Sequence, residues 1–566
     1  MCLEGSAYLA APENFSSLSA PLDNPFGSLV AMYLVAEEPE RGVLIKLPGQ
    51  VELGEEGVAN GLAPGQIRTT FKNTPQLPFS SLKLEFCGTD RAPLATPAYC
   101  GSYTTQASFG AWSEETQNPS SEFSIGAGPN GSGCTYPCQA LPISPSLSAG
   151  MPNINAGSFS DLTTTLSRED GRQHIQQVTL HYPAGLSGIL SGVELCGEAQ
   201  ANAGTCGAGS EIGETIVSVG LGDDPFTVSG RKVYLTGPYD GAPFGLSIEN
   251  PATAGPFDLQ EGRPVVVRAK IEVNPTTAAL TVTTDPSGPH AIPTIIDGIP
   301  LQIKHVNVNI TRKRFTFNPT NCDKTAITGT VGSAEGTSAN VSIPFQVTNC
   351  QALKFTPKFA VSTPAKTTKA DGAGLTATLS YPIGSFGTAS EIAKVKVDLP
   401  KQLPSRPTTL QKACTNAQFE ANPANCPTAS KIGYAKVTTP LLPVPLEGPA
   451  IFVSHGGEAF PSLTMVLQGY GVKIDLVGTT HISHAGITST TFKTVPDVPF
   501  SRCTLTLAQG KYSALAAIGN LCTKKLKMPT EFIAQNGARI DESTPIAVSG
   551  CGKSKEKPKR KKVRHR

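Results

Sequence analysis

One eleven-residue segment occurs twice in this sequence, at 70–80 (TFKNTPQLPFS) and at 491–501 (TFKTVPDVPFS). In both copies a strand-like end leads into two prolines three residues apart. Because proline cannot donate a hydrogen bond to a β-ladder, each copy predicts a bend between two strands. Alternating apolar side chains follow each copy and predict the next strand, namely Leu82, Leu84 and Phe86 in the first and Cys503, Leu505 and Leu507 in the second. Such an internal repeat constrains the chain to tandem copies of one unit.

A second set of matches fixes the length of the unit. Segment 162–167 matches 375–380, and 178–183 matches 395–400, in the same order. Two cysteine pairs, each followed by Ser-x-Ile-Gly, come next in the same order, at a similar spacing. The sequence therefore predicts an incomplete first unit at 1–148 that ends in a Pro/Ser/Gly-rich linker, a second unit at 149–352, a third at 353–551, and a disordered basic tail at 552–566.

Apolar residues alternate with polar ones at period two through most of both later units, as in 267–273, 306–310 and 472–476. Short helical turns are expected only near 197–203 and 415–421. With 39% apolar and 16% charged residues, the composition is that of a turn-rich β protein and not of a disordered chain. We expect an all-β fold of tandem β-sandwich (Ig-like) domains in an extended array, with two sandwiches in each unit of about 200 residues.

Most of the 14 cysteines form close pairs along the sequence. None has the C-x-x-C spacing of a zinc ribbon or a thioredoxin site, so disulfides are favoured over metal ligation, and persistent disulfides indicate an oxidising compartment. Cys2 and Cys551 have no near neighbour. The predicted pairs are Cys87/Cys100, Cys134/Cys138, Cys196/Cys206, Cys322/Cys350, Cys414/Cys426 and Cys503/Cys522.

The charge is concentrated at the C-terminus. The tail carries nine cations and Glu556, while the rest of the chain holds 37 basic and 43 acidic side chains, a net charge of −6. A basic tail of this kind can contact cell-wall polymer, an anionic lipid surface or nucleic acid, or it can simply be solvated. It lacks the interleaved aromatics that specific nucleic-acid binding uses. Its cations are Lys553, Lys555, Lys557, Lys559, Arg560, Lys561, Lys562, Arg564 and Arg566.

No stretch approaches the 18 or so consecutive apolar residues of a transmembrane helix. The first thirty residues have no basic n-region followed by an apolar core, so the written sequence contains no signal peptide. Residues 5–9 resemble 230–235, which lie inside the second unit. We therefore expect Met1 to fall in the middle of a unit, through a misassigned start or a gene fragment, and in either case a missing upstream part could carry the export signal.

Catalytic motifs are absent from the sequence: it has no G-x-S-x-G, no H-E-x-x-H, no P-loop and no complete EF-hand loop. His455, His481 and His484 could together form a metal site. However, His481 and His484 are three residues apart, and side chains at that spacing on a strand point to opposite faces of the sheet. Ser454, His455 and Asp475 could be drawn as a triad, although no oxyanion loop is recognisable. We predict no catalytic residue, no metal and no cofactor.

Two weaker possibilities involve turns and aromatics. Turns that contain aspartate could bind calcium, but each supplies fewer oxygens than the six to eight that Ca²⁺ needs; they contain Asp223, Asp224, Asp285 and Asp297. The only tryptophan, Trp112, lies near Tyr103 and Phe109 and could form a sugar platform. We expect this stretch instead to close a sandwich core.

Five segments taken together resemble large repetitive exported proteins predicted in soil actinobacteria, a family without an assigned activity. The segments are 233–239, 241–246, 254–259, 297–301 and 317–322. The resemblance implies a secreted or surface location and tandem β domains, and it carries no catalytic residue to this chain.

The sequence thus predicts a non-enzymatic secreted or cell-surface structural or adhesive protein whose tail contacts anionic cell-wall polymer. An array of polysaccharide-binding modules, or of modules that bind a surface protein, is the first alternative. A secreted hydrolase is the second.

Overall fold

The computed structural model describes residues 4–10, 24–26, 28, 30–54, 59–86, 88, 92–97, 100–127, 142–254, 257–259 and 262–551. Within these residues no helix is longer than six residues, so the predicted all-β fold is confirmed. Two of the three α-helices lie where helical turns were expected. The helices are α1 (Glu198–Ala203), α2 (Pro407–Leu410) and α3 (Asn416–Ala421), with 3-10 turns at Pro39–Arg41, Ala208–Ser210, Cys350–Ala352, Pro423–Asn425, Thr428–Ser430 and Leu521–Thr523.

The first unit contains one four-stranded antiparallel sheet, in the order β1-β2-β3-β4, and two short hairpins, β5-β8 and β6-β7. Residues 82–86 are not a strand, so that prediction was wrong for the first copy of the repeat. Within the described part of this unit, they pair with no strand. Its strands are β1 (Glu4–Ala10), β2 (Val30–Glu38), β3 (Val43–Leu53), β4 (Ile67–Phe71), β5 (Gly101–Gln106), β6 (Phe109–Gly110), β7 (Thr116–Gln117) and β8 (Ser120–Ile125).

The second unit is built on an eleven-stranded sheet in the order β25-β24-β11-β19-β18-β15-β14-β13-β22-β10-β9. Its strands are β9 (Ser146–Gly150), β10 (Leu162–Ser167), β11 (Ile175–His181), β12 (Ser187–Gly188), β13 (Glu211–Val219), β14 (Phe226–Thr236), β15 (Phe244–Pro251), β16 (Thr253–Ala254), β17 (Phe257–Asp258), β18 (Pro264–Val273), β19 (Leu280–Thr284), β20 (Ile295–Ile296), β21 (Ile299–Pro300), β22 (Ile303–Ile310), β23 (Thr316–Phe317), β24 (Thr325–Ser333) and β25 (Ser338–Phe345).

The third unit repeats the same pairing order and closes it. Its strands are β26 (Lys358–Pro364), β27 (Leu375–Ser380), β28 (Ile392–Asp398), β29 (Cys414–Thr415), β30 (Lys431–Thr438), β31 (Leu446–Ser454), β32 (Ser462–Gly469), β33 (Val472–Ile482), β34 (Thr488–Phe492), β35 (Arg502–Leu507), β36 (Lys527–Ala534) and β37 (Arg539–Ser549). The ring runs β26-β27-β35-β30-β31-β32-β33-β34-β28-β36-β37 and returns to β26. A closed ring with an odd number of strands must contain a parallel pair, and here that pair is β26 with β37.

The second unit has the same eleven strands in the same order, and its edge strands β9 and β25 approach each other. Just beyond them, Asn155 and Thr348 form a parallel bridge. In the first unit, β1–β4 correspond to β14, β15, β18 and β19. In the second and third units, every strand longer than two residues therefore belongs to one large hydrogen-bonded sheet per unit. The continuous ring leaves few edges to cover.

Side-chain alternation gives each ring an apolar inner face and a polar outer face. On β22, Val306 and Val308 face inward, while Asn307 faces outward and donates to the hydroxyl of Thr165 at 2.7 Å. The largest core cluster is continuous from the second unit into the third. The two units therefore fold against a shared apolar interior.

Candidate functional site

The basic tail lies outside the described residues, but the structure shows where the chain leaves the third unit. The last strand, β37, is hydrogen-bonded on both sides, to β36 and to β26. At its end, the amide of Ala365 donates to the carbonyl of Ser549 at 2.7 Å. The residues before the tail are thus part of the closed sheet.

A disulfide joins Cys522 to Cys551, two residues before the first lysine of the tail. The predicted pair of Cys503 with Cys522 was wrong, because Cys503 lies on β35 and faces the interior while Cys522 lies in a separate 3-10 turn. Cys503 is a free thiol, and burial raises its pKa to about 11. A thiol in this state behaves as a small apolar side chain.

Three other predicted pairs form. Cys196–Cys206 closes a loop around α1, Cys414–Cys426 closes the corresponding loop around α3, and Cys322–Cys350 ties the end of the second unit. Cys100 is also disulfide-bonded. Cys2, Cys87, Cys134 and Cys138 lie outside the described residues.

The contact between the second and third units contains a buried carboxylate that the sequence analysis missed. Asp497 accepts hydrogen bonds from the amide of Thr320 at 2.7 Å and from its hydroxyl at 2.5 Å. It also accepts from the amide and side chain of Asn321, at 3.0 and 2.8 Å. Burial raises the pKa of Asp497, while these four donors lower it. One side chain of the third unit thus holds a turn of the second.

A second buried carboxyl group, Glu391, lies close to Asp497. Burial raises its pKa well above the ordinary value, and the negative charge of Asp497 raises it further. One of its oxygens, Oε2, is buried and has no hydrogen-bond partner within the described residues. Its amide donates to the hydroxyl of Thr320 at 3.0 Å. The geometry therefore favours a protonated Glu391 beside an ionised Asp497.

Further contacts join the same two units. The amide of Leu190 donates a hydrogen bond to the carbonyl of Leu441 at 2.7 Å. The amide of Asp475 donates one to the carbonyl of Pro275 at 2.8 Å. The rings of Phe244 and Tyr470 pack with centroids 5.8 Å apart.

Ser454, His455 and Asp475, which the sequence analysis did not favour as a triad, do not assemble into one. Instead, Nδ1 of His455 lies 2.7 Å from Asn416 Oδ1, and Nε2 lies 2.9 Å from the hydroxyl of Ser462. This Ser–His–Asn arrangement was not predicted. Ser462 is only 3% exposed, and its hydroxyl also donates to the carbonyl of Val453 at 3.2 Å. A substrate carbonyl therefore has no access to it.

Within the described ranges, no three His, Cys, Asp or Glu side chains are grouped to hold a metal ion. Asp285 accepts from the hydroxyl of Tyr239 at 2.6 Å, and Arg268 lies over the Tyr239 ring. Asp297, with φ of 47°, and Gly298 form the turn of the β20–β21 hairpin, as their turn chemistry predicts. These aspartates serve local structure.

The aromatic stretch of the first unit is exposed, so the expectation that it closes a core was wrong. Trp112 is 63% exposed, Phe109 64% and Phe79 77%. Tyr103 stacks on Phe123 with centroids 5.6 Å apart. These side chains border a concave surface that continues to the second unit. Apolar surface of this extent is typical of interaction sites.

Comparisons with known proteins add little to this geometry. No family model matches the sequence, and no curated protein matches it. Among solved structures, the N-terminal domain of the Streptococcus gordonii adhesin Sgo0707 is 9% identical over 96% of this chain and 92% of its own, with a TM-score of 0.17. A protein named BspA_C_WT is 10% identical over 70% of this chain and 99% of its own, also with a TM-score of 0.17. The B domain of a biofilm associated protein is 8% identical over 71% and 84%, with a TM-score of 0.15. TM-scores this low carry no functional argument.

Among the helices that the structure describes, none is both long and apolar enough to cross a membrane.

Proposed function

We propose that this protein is a non-enzymatic secreted or cell-surface structural protein, whose closed β units are held to anionic cell-wall polymer by the basic tail at 552–566. The observation that carries the proposal is the Cys522–Cys551 disulfide, which fixes the chain two residues before Lys553. Force on a bound tail would reach β37 and the loop of Cys522 together. A strand bonded on both sides and cross-linked at its end resists peeling better than a free terminus.

The disulfides support export. Structural disulfides persist in oxidising compartments and are rare in the cytosol. Four lie within the described residues, and two of them close equivalent loops in successive units. The proposed location is therefore the cell exterior.

The charge distribution supports a polyanion as the partner. Nine cations within the last fourteen residues follow a body with a net charge of −6. An anionic polymer would repel the negatively charged body, so only the tail would be attracted to the polymer. Such attraction between exposed charges weakens as salt shortens the Debye length, from about 10 Å at 0.1 M to about 3 Å at 1 M.

A retention assay on isolated cell walls tests this role. We expect the full chain to sediment with the walls at about 0.05 M salt and to elute by about 1 M. A chain that ends at Gly552 should remain in the supernatant, and a control with all nine tail cations replaced by glutamine should behave in the same way. Equal retention of all three proteins at low salt would refute tail anchoring.

A polysaccharide-binding array is the second candidate, favoured by the exposed Trp112 and Phe109. The same assay separates the two functions. Retention of the chain that ends at Gly552, unchanged at about 1 M salt, would favour stacking on a neutral sugar surface over charge attraction.

A further inference from the structure

The rings of the second and third units enclose a common cavity of about 850 Å³. Its wall consists of the inward-facing side chains of both rings and of residues that lie between the two rings. The residues between the rings include Leu190 and Phe315 of the second unit and Leu442 of the third. The volume lies within the range of about 300 to 1,000 Å³ that is typical of ligand pockets. The shared interior is thus large enough for an organic molecule.

The wall is almost entirely apolar, and most of its side chains are aliphatic. No charged side chain of the described residues lines the cavity. Inward side chains such as Val308, Leu280 and Leu505 are only partly buried, although they face the interior of their rings. In a close-packed core, such side chains would be covered by their neighbours. Here the facing walls stand too far apart to cover each other.

The width of the ring explains this spacing. About eight strands close into a barrel whose interior side chains just fill or leave room for one small ligand, and the diameter grows with strand number. Eleven strands leave more space than valine and leucine can fill. Without an occupant, an apolar cavity of this size would destabilise the fold strongly, because the cost rises with volume. Water is a poor occupant, since apolar cavities stay dry.

One end of the cavity provides an opening. Phe226, at the start of β14, lines the cavity and is also 46% exposed. Gln302 lies at the same end and accepts a hydrogen bond from Arg168 at 3.1 Å. The opposite end of this ring faces the third unit. A molecule with a polar head and a long apolar body could therefore enter beside Phe226, with its head in water.

We propose that the shared interior of the second and third units binds a long-chain acyl lipid. The apolar wall, the volume and the polar end of the opening match a flexible hydrocarbon chain. A rigid or charged ligand would leave its polar groups unpaired inside this wall. The site is independent of the tail, so its existence does not depend on the proposed anchoring.

The first test is extraction of the full chain, purified without detergent, with organic solvent and mass spectrometry of the extract. We expect acyl lipid at close to one molecule per chain, and the masses distinguish free fatty acid from phospholipid. The stripped protein should then bind a fluorescent fatty acid. If no lipid is recovered and the folded, stripped protein does not bind the probe, the proposal is overturned.

Variants locate the site. Val308→Phe in the second unit and Ala377→Phe in the third fill the cavity from opposite rings, whereas Asn307→Phe adds the same side chain to the outer face of β22. We expect each filling variant to weaken probe binding about tenfold or more, a loss of about 1.4 kcal/mol, and the control to leave it unchanged. Far-UV circular dichroism verifies that each protein is folded, and either filling variant alone suffices. Equal binding by the folded filling variants and by the control would show that the probe binds elsewhere.

Discussion

Replacing Glu391 with glutamine should stabilise the protein at neutral pH. Glu391 is 5% exposed and faces Asp497, and its Oε2 atom has no partner in the described part of the chain. Glutamine has nearly the same shape as the protonated acid but cannot ionise. Its amide oxygen can still accept the hydrogen bond that Glu391 accepts from the backbone of Phe500. The substitution therefore removes a charge from the contact between the units without opening a cavity.

The size of the effect follows from proton linkage. The pKa of Glu391 is raised in the folded state, mainly by burial, whereas in the unfolded chain it lies near its ordinary value of 4.5. Below that value both states are protonated, and the wild type has its full stability. Between the unfolded and the folded pKa, unfolding releases one proton, so the wild type loses about 1.4 kcal/mol per pH unit. The advantage of the E391Q protein over the wild type should thus grow by about 1.4 kcal/mol for each pH unit above about 4.5, until the pH reaches the raised pKa of the folded state.

Urea unfolding at several pH values, followed by far-UV circular dichroism, measures this difference. Fluorescence is unsuitable because Trp112, the only tryptophan, lies in the first unit. The exposed Glu420 of the third unit provides the matched control, because E420Q makes the same chemical change at a solvent-exposed side chain. An E391Q advantage that does not grow with pH, or a loss of stability at neutral pH, would refute a buried, protonated Glu391.

Two further predictions concern the cysteines. Replacing both Cys522 and Cys551 with alanine should lower the free energy of unfolding by about 3.5 kcal/mol, because their sequence separation of 29 closes a long loop in the unfolded chain; urea titration measures this, and unchanged stability would contradict the pairing. Cys503 should react with a thiol reagent only after unfolding, because burial raises its pKa to about 11 and little thiolate is present. Peptide mapping by mass spectrometry locates the label, and rapid labelling of Cys503 in the native protein would place it outside the core.

Local patterns in the sequence predicted the strands well. Segments 162–167 and 375–380 are β10 and β27 to the residue, and the hairpin between β18 and β19 turns at Asn274, whose side chain accepts from the amides of Thr276 and Thr277 at 2.9 Å. These elements depend on alternation and turn chemistry, which are local. The relation to exported actinobacterial proteins and the roles of the tail remain predictions.

Closure of the rings could not be predicted in this way, because it depends on pairs that are distant in sequence. β26 and β37 are parallel neighbours at the two ends of the third unit. No local pattern distinguishes an edge strand from a closing strand. The cavity was missed for the same reason, since alternation predicts an apolar face but not its distance from the opposite wall.

Differences between the two copies of the repeat contain information that similarity alone does not. Position 76 of the first copy is glutamine, whereas the corresponding Asp497 is the buried carboxylate that holds Thr320. Two residues beyond the second copy, Cys503 corresponds to Leu82 in the first. A position that holds leucine in one copy and cysteine in the other suits an apolar side chain, and in the third unit it faces the interior, whereas Leu82 in the first unit is exposed. Comparison of the two copies would therefore have favoured an unpaired Cys503. Cys551 would then have remained as the partner of Cys522. The difference between Gln76 and Asp497 therefore marks a contact between units that the similarity of the two copies does not reveal.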